Sequence, residues 1–243
     1  MKFGYVYETG MRKENQDALL YRLCQFSGGE LAFLAVCDGM GGMECGMEAS
    51  AICIREMEAW FDGELIPFLE KQKRGKKELK KGIQSKGFSL YRRINHILFE
   101  KMRLEGKKMG STALLCLVYR ERYYLFHIGD GRAYLQRKAL LFQGFRKLTK
   151  DHGDERGLLK CLGLNREWKP DFYTGRCKAG GMLLCTDGFY RKYDKKLWKN
   201  CLAWKKLQSD AVISKRLKEI GNYNIRQKET DNISALYAGW TGE

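Results

Sequence analysis

The sequence predicts an α+β fold in which two antiparallel β-sheets stack face to face and helices flank them on both sides, an α/β/β/α sandwich. Three observations lead there. Apolar runs follow one another as hairpins over 111–119, 122–128 and 132–138, which is the habit of antiparallel sheets. Long stretches with helical spacing are inserted between strands instead of alternating with each one. Three apolar runs end abruptly in Asp-Gly, at Asp38-Gly39, Asp130-Gly131 and Asp187-Gly188.

Taken in order, Phe3 to Tyr7 and Ala18 to Leu23 read as strands flanking a polar loop from Glu8 to Asp17. Leu31 to Cys37 is a buried strand. Past the glycine-rich turn Gly39-Met40-Gly41-Gly42, Glu44 to Phe61 reads as a helix. Its face carries Ala49, Ile52, Cys53, Met57 and Trp60 at helical spacing. A second helix covers Ile83 to Arg103, where Ile83, Phe88, Tyr91, Ile94, Ile97 and Leu98 recur. Ser111 to Tyr119, Arg122 to Ile128 and Arg132 to Lys138 are strands, and a short irregular stretch precedes the strand Gly181 to Thr186. Helices are expected near Lys195 to Trp204 and Ser209 to Gly221, before a closing strand Ile233 to Ala238. Trp60, Trp198 and Trp204 read as packing residues, His127 as a structural residue within its strand, and His96 as a helix-surface residue.

The 243 residues contain two prolines and no Pro/Ser-rich linker, so one domain over 1–243 is expected. The longest apolar run is too short to cross a bilayer, and the first residues open no signal-peptide pattern. A cytoplasmic protein is expected. Nine cysteines without any Cys-x-x-Cys pair suit a reducing compartment. The net charge of +16 is concentrated in Lys71 to Lys81 and in Arg191, Lys192, Lys195, Lys196, Lys199, Lys205 and Lys206. Such clusters attract nucleic acid, anionic membrane or acidic protein, but a run of charge more often only solvates a helix face. Neither cluster interleaves aromatics for base stacking. No membrane or nucleic-acid partner is expected, and a monomer is.

Any single Asp-Gly is more readily a turn than a ligand. The set is harder to dismiss, because a fourth acid, Asp231, stands just before the last apolar run. Several strands would each deliver a carboxylate at an end. Clustered carboxylates repel one another, so such a site makes sense around hard cations that take oxygen ligands, Mg²⁺ or Mn²⁺.

Six segments in order carry a resemblance: Gly10-Met-Arg12-Lys-Glu-Asn-Gln-Asp17, Asp38-Gly-Met-Gly-Gly42, Gly110-Ser-Thr-Ala113, Gly129-Asp-Gly-Arg132, Thr186-Asp-Gly188 and Thr230-Asp-Asn232. Over most of its length the chain resembles the metal-dependent protein Ser/Thr phosphatases of the PPM or protein phosphatase 2C family, bacterial type. The resemblance implies hydrolysis of phosphoserine and phosphothreonine in proteins by a metal-bridged water. It implies that Asp38 bridges two Mn²⁺ or Mg²⁺ ions, that Asp187 and Asp231 hold one of them, and that the Gly39 carbonyl and Asp17 serve the other. Asp130 matches an acid that joins Asp187 around a third, weaker ion in some members. Arg12 matches the arginine that grips the substrate phosphate. Partners implied are phosphorylated proteins and a cognate Ser/Thr kinase.

Two departures matter. Met40 stands where many eukaryotic relatives carry a histidine proposed to protonate the leaving alkoxide. A steep dependence on leaving-group acidity is therefore expected, and comparable rates on an aryl phosphate and a phosphoserine peptide would count against it. The segment 151–163 is shorter than the flap usual in bacterial relatives. Arg132 and Asn232 are read as braces, and His152 as an orienting neighbour at most. Two rival readings stand beside this one. Cys185 to Arg191 and Cys116 to Arg122 fit Cys-x5-Arg, the spacing of thiolate phosphatases, but Asp187 inside that loop would oppose a thiolate. The other is a catalytically idle phosphatase fold that binds phosphoprotein or nucleic acid through its basic surface. Such a fold is expected to have lost metal carboxylates, and none is missing.

Overall fold

Strand β3 (Gly29–Met40) shows why the fold needs two sheets. Leu31, Phe33, Ala35 and Cys37 enter one apolar cluster, while Ala32, Leu34 and Val36 enter another. Side chains alternate across a strand, so an apolar run without polar alternation demands cover on both faces. The computed structural model describes residues 1–243 apart from 27–28, 41–42, 72–74, 138–143, 155–156, 168, 204–205 and 242–243. Gly41, Gly42, Lys138, Trp204 and Lys205 therefore lie outside the described residues.

One sheet has the order β11 (Asp171–Arg176), β6 (Arg122–Ile128), β5 (Ala113–Tyr119), β3, β2 (Asp17–Phe26), with β4 (Gly110–Ser111) paired to β3. The other has the order β1 (Lys2–Glu8), β13 (Ile233–Trp240), β12 (Gly180–Cys185), β7 (Arg132–Arg137), β8 (Phe145–Lys147). Neighbouring strands in both are antiparallel. The inner cluster between the sheets joins Leu34, Leu114 and Leu125 to Leu135, Leu184 and Leu236. Helices α1 (Met43–Trp60) and α3 (Lys76–Glu105) cover the outer face of the first sheet through Met57, Trp60, Ile83, Tyr91 and Leu98. Helices α5 (Lys195–Cys201) and α6 (Asp210–Arg226) cover the second through Trp198, Ile213, Leu217 and Ile220. Each fully buried aliphatic or aromatic side chain contributes about 1.5–3 kcal/mol, so the three apolar layers hold the four layers of chain together.

The structure departs from the sequence reading in places with physical causes. The stretch before Gly180 is not irregular: β11 pairs residue for residue with β6. Its residues are all partly exposed, so the edge strand lacks the apolar signature of a central one. The first helix does not stop at Phe61 but runs on through a π-turn (Phe61–Leu65) into α2 (Ile66–Glu70). Pro67, in the first turn of α2, has no N–H to bond back into the π-turn before it, so the helical ladder is interrupted there. Helix α3 starts at Lys76, so part of the first basic cluster is a helix whose lysines are solvated and whose Leu79 is buried. The expected strand over 111–119 breaks at Thr112. Helix α5 is shorter than expected, ending at Cys201, and α6 is longer, reaching Arg226. Segment 151–163 holds a small hairpin, β9 (Gly153–Asp154) with β10 (Gly157–Leu158). Among the described residues no helix is long and apolar enough to cross a membrane, and all nine cysteines are free thiols.

Candidate metal centre

The two sheets bring their strand ends to one cleft of about 660 Å³. Arg12, Asp38, Gly39, Asp130, Asp187 and Asp231 all line it. Asp17 lies beneath, 2% exposed. All seven residues singled out from the sequence thus meet in one place.

Each acid has its own support. Asp17 opens β2 directly opposite Asp38 of β3, and the Thr186 hydroxyl donates to its Oδ2 at 3.0 Å. Asp38 is pinned through its backbone: its N–H donates to Thr112 Oγ1 at 3.0 Å, and its carbonyl accepts from Thr112 N at 2.8 Å. That exchange explains the break at Thr112, whose side chain replaces a ladder partner. Gly39 could carry no side chain, because a Cβ there would stand 1.8 Å from the Gly46 carbonyl oxygen of α1. Asp130 sits in the turn between β6 and β7, and Tyr190 Oη donates to its carbonyl at 3.0 Å. Arg132 stacks on the Tyr190 ring at 3.6 Å and forks onto Asp151, bracing that turn. Asp187 begins the short helix α4 (Asp187–Tyr190). Asp231 precedes β13, where Glu229 Oε1 accepts from its N–H at 3.2 Å.

Arg12 reaches the cleft from the loop between β1 and β2. Asn232 holds that loop: its Nδ2 donates to the carbonyls of Thr9 and Glu14, and its Oδ1 accepts from Gln16 N. Gly10 takes φ +65°, and a Cβ there would meet the Asp231 carbonyl oxygen at 2.2 Å. The Arg12 guanidinium pairs with Asp231 at 3.1 Å while its side chain stays 56% exposed.

The electrostatics follow from burial and crowding. Burial, offset in part by the Thr186 hydroxyl and the nearby Ser234 and reinforced by the charges of Asp187 and Asp231, pushes Asp17 up to about 7. Burial and the repulsion of Asp130 and Asp231 push Asp187 up to about 7, although Arg191 pulls the other way. Asp38 is driven well above the ordinary range by burial and then by Asp17, Asp187, Asp231 and Asp130. Asp17 Oδ1 and Asp187 Oδ1 are buried with no hydrogen-bond partner. A buried orphan of that kind costs about 1–3 kcal/mol, more when charged. Oxygen-only donors, mutually repelling and partly unsatisfied, fit hard divalent cations such as Mg²⁺ or Mn²⁺.

A second group, His127, His152 and Asp171, has its possible ligand atoms within 4.8 Å of one another. Gly129 N–H donates to His152 Nδ1 at 3.1 Å, which places the ring proton on Nε2, 3.2 Å from Asp171 Oδ2. Both nitrogens of His152 are engaged, so the ring serves as a brace under the Gly129–Asp130 turn. His127 stacks against it at 4.8 Å and is held neutral, with a pKa lowered to about 4 by burial and by facing His152. His96 is exposed on α3.

The thiol route fails on geometry. Cys185 is 0% exposed, its Sγ faces the Arg132 carbonyl, and burial drives its pKa far up. Cys116 is equally buried, and burial drives its pKa well up. Neither forms a thiolate at neutral pH.

One residue of the cleft entered the sequence reading only through a basic cluster and through the rejected Cys-x5-Arg spacing. Arg191 lines the wall and contacts both Asp187 and Asp231. Its position four residues past Asp187, one helical turn on, was the available signal.

A sequence model of the family described as protein phosphatase 2C matches residues 10–222. A Mycoplasma genitalium protein described as a protein phosphatase is 28% identical over 93% of this chain and 89% of its own. The Staphylococcus aureus serine/threonine phosphatase Stp1 superposes with a TM-score of 0.79 at 20% identity, covering 100% of this chain and 96% of that one. The catalytic domain of the serine/threonine protein phosphatase PstP, solved in complex with two manganese ions, superposes with a TM-score of 0.74 at 23% identity, covering 98% and 97%.

Proposed function

The chain belongs to the protein phosphatase 2C family, and from that premise we propose which of its residues perform the work of a metal-dependent protein serine/threonine phosphatase. The observation that carries the assignment is the convergence of Arg12, Asp38, Gly39, Asp130, Asp187 and Asp231 on one cleft, over a buried Asp17. Asp38, central among the acids whose charges act on it, is assigned to two Mn²⁺ or Mg²⁺ ions at once. Asp187 and Asp231 would help hold one ion, Asp17 and the Gly39 carbonyl the other, and Asp130 would offer a further ligand beside Asp187. When bound, such ions lower the pKa of coordinated water and offset phosphoryl charge.

The remaining work falls to the chain itself. Arg12 presents a planar fork at the cleft, suited to grip two phosphate oxygens as lysine cannot. Asn232 fixes the loop that carries it. Thr112 holds the Asp38 backbone, and with it the root of the side chain, at the edge of the cleft. Met40 lines the cleft, and among its described residues no histidine does, so the leaving alkoxide takes its proton from solvent or from another group of the cleft. The whole of 1–243 acts as one phosphatase domain with an abbreviated flap at 151–163, where Gly153, Gly157 and Leu158 line the cleft. Its substrates are phosphoproteins, which a serine/threonine kinase must supply, and it acts as a cytoplasmic monomer.

The test is hydrolysis of p-nitrophenyl phosphate and a phosphothreonine peptide with Mn²⁺, by wild type and Asp38→Asn. Loss of a shared ligand should lower kcat/KM by about 100-fold or more. Wild-type activity in the variant would remove Asp38 from its bridging role.

A further inference from the structure

Arg191 takes no part in those assignments, yet its guanidinium pairs with three acids: Asp187, Asp231 at 3.2 Å and Glu229 at 3.5 Å. Two of the three are the carboxylates assigned to one divalent ion. We propose that Arg191 is a tethered competitor of the cofactor, a cation of the chain itself that occupies Asp187 and Asp231 until a divalent ion displaces it. The inference rests on the metal reading of the cleft given above.

Three features make the competition direct. The guanidinium sits on Oδ2 of Asp187 and Oδ2 of Asp231, and an oxygen committed to it is not equally available to a second cation. The two partners differ in freedom: Asp187 is fixed and 5% exposed, whereas the Arg191 side chain is 46% exposed and has solvent to move into. The displaced guanidinium is not left alone, because Glu229, buried beside it, remains as a partner. The tether is short, since Arg191 N–H donates to the Asp187 carbonyl at 2.8 Å. A linked group faces its partner at high effective concentration, so the arginine returns whenever the ion leaves.

The arrangement has two consequences. In the metal-free chain the guanidinium offsets charge among acids that otherwise repel, which keeps the cleft assembled. In the presence of metal the apparent affinity is reduced by the fraction of molecules whose carboxylates are already paired. The phosphatase therefore loads its ions only where divalent cation is plentiful.

The experiment is Mn²⁺ titration calorimetry on full-length wild type, R191M and R191K after chelator treatment. R191M should bind Mn²⁺ about tenfold or more tightly than wild type, with R191K between them. The metal-free R191M protein should melt lower than metal-free wild type, and the loaded proteins alike. A dissociation constant for R191M within about twofold of wild type, or weaker, overturns the proposal. Should R191M not fold, wild type and R191K suffice: the arginine Nε–H resonance present in wild type and missing from R191K must shift as Mg²⁺ is added. A resonance that stays in place while Mg²⁺ binds overturns it as well. Absence of divalent binding in every protein sinks the metal reading itself. Equal binding in all of them sinks only the role of Arg191.

Discussion

Asp17 and Asp187 carry the most direct consequence of crowding carboxylates, because burial and neighbouring charge push both from 3.8 up to about 7 in the metal-free chain. An acid whose folded pKa lies above its unfolded value stabilises the fold below the unfolded pKa. That stability is lost as pH rises through the folded one. The metal-free protein therefore loses stability from these two groups between about pH 4 and pH 7. His127 works in the opposite sense, since a pKa lowered to about 4 removes stability as pH falls from about 6.5. Comparing melting temperatures with and without Mg²⁺ cancels the histidine, which the ions do not touch. The stabilisation by Mg²⁺ should widen as pH rises from about 6 to about 8. A gap that narrows over that interval would show that the ions do not replace protons on these acids. At this scale the sequence was informative where Asp-Gly recurs at strand ends. It was nearly mute on Arg191: the spacing of one helical turn from Asp187 was its single hint, and nothing in a basic run says that the side chain turns to three acids.

The elements explain why the acids hold position against their own repulsion. Strands β2 and β3 present Asp17 and Asp38 as direct partners, so the pair is fixed by ladder hydrogen bonds and not by the acids themselves. Central strands were legible because burial on both faces leaves a continuous apolar run, as in β3 and β5. Strand β11 was not, since an edge strand that is partly exposed on both faces and contains a glycine, Gly175, carries mixed polarity. The start of α3 was hidden for a related reason: Lys76 to Lys81 is helical yet almost wholly solvated. The loop bearing Arg12 has no strand ladder, and Asn232 substitutes for one with three hydrogen bonds to its backbone. Asn232→Ala leaves those groups seeking water and should cost about 1–3 kcal/mol of stability. Its more specific effect is on Arg12: KM for a phosphopeptide should rise severalfold while Mn²⁺ affinity changes little. Unchanged KM in a folded variant would mean that the loop is held by something else.

Across the whole molecule, a cleft lined by acids sits in a chain of net charge +16. The two basic clusters are not equivalent with respect to that cleft. Lys76, Lys77, Lys80 and Lys81 lie on α3, outside the first sheet. Lys195 and Lys196 open α5, four and five residues beyond Arg191 at the cleft wall. At an extended-chain limit they are about 14–18 Å of backbone from it, near enough to be felt across a Debye length of about 8–10 Å once the chain folds back. A phosphopeptide brings its own negative charge, and a positive rim around a metal-loaded cleft raises its encounter rate. Charge reversal at Lys195, Lys196 and Lys199 should therefore lower kcat/KM for an acidic phosphopeptide by roughly threefold to tenfold at low salt, with the difference shrinking as salt rises to about 0.15 M. The same reversal at Lys76, Lys77 and Lys80 should leave kcat/KM nearly unchanged, because no residue of α3 lines the cleft and none of those lysines follows closely on one that does. If the two triple variants lose activity equally, or if neither responds to salt, the basic surface acts through net charge alone and α5 has no part in choosing substrates.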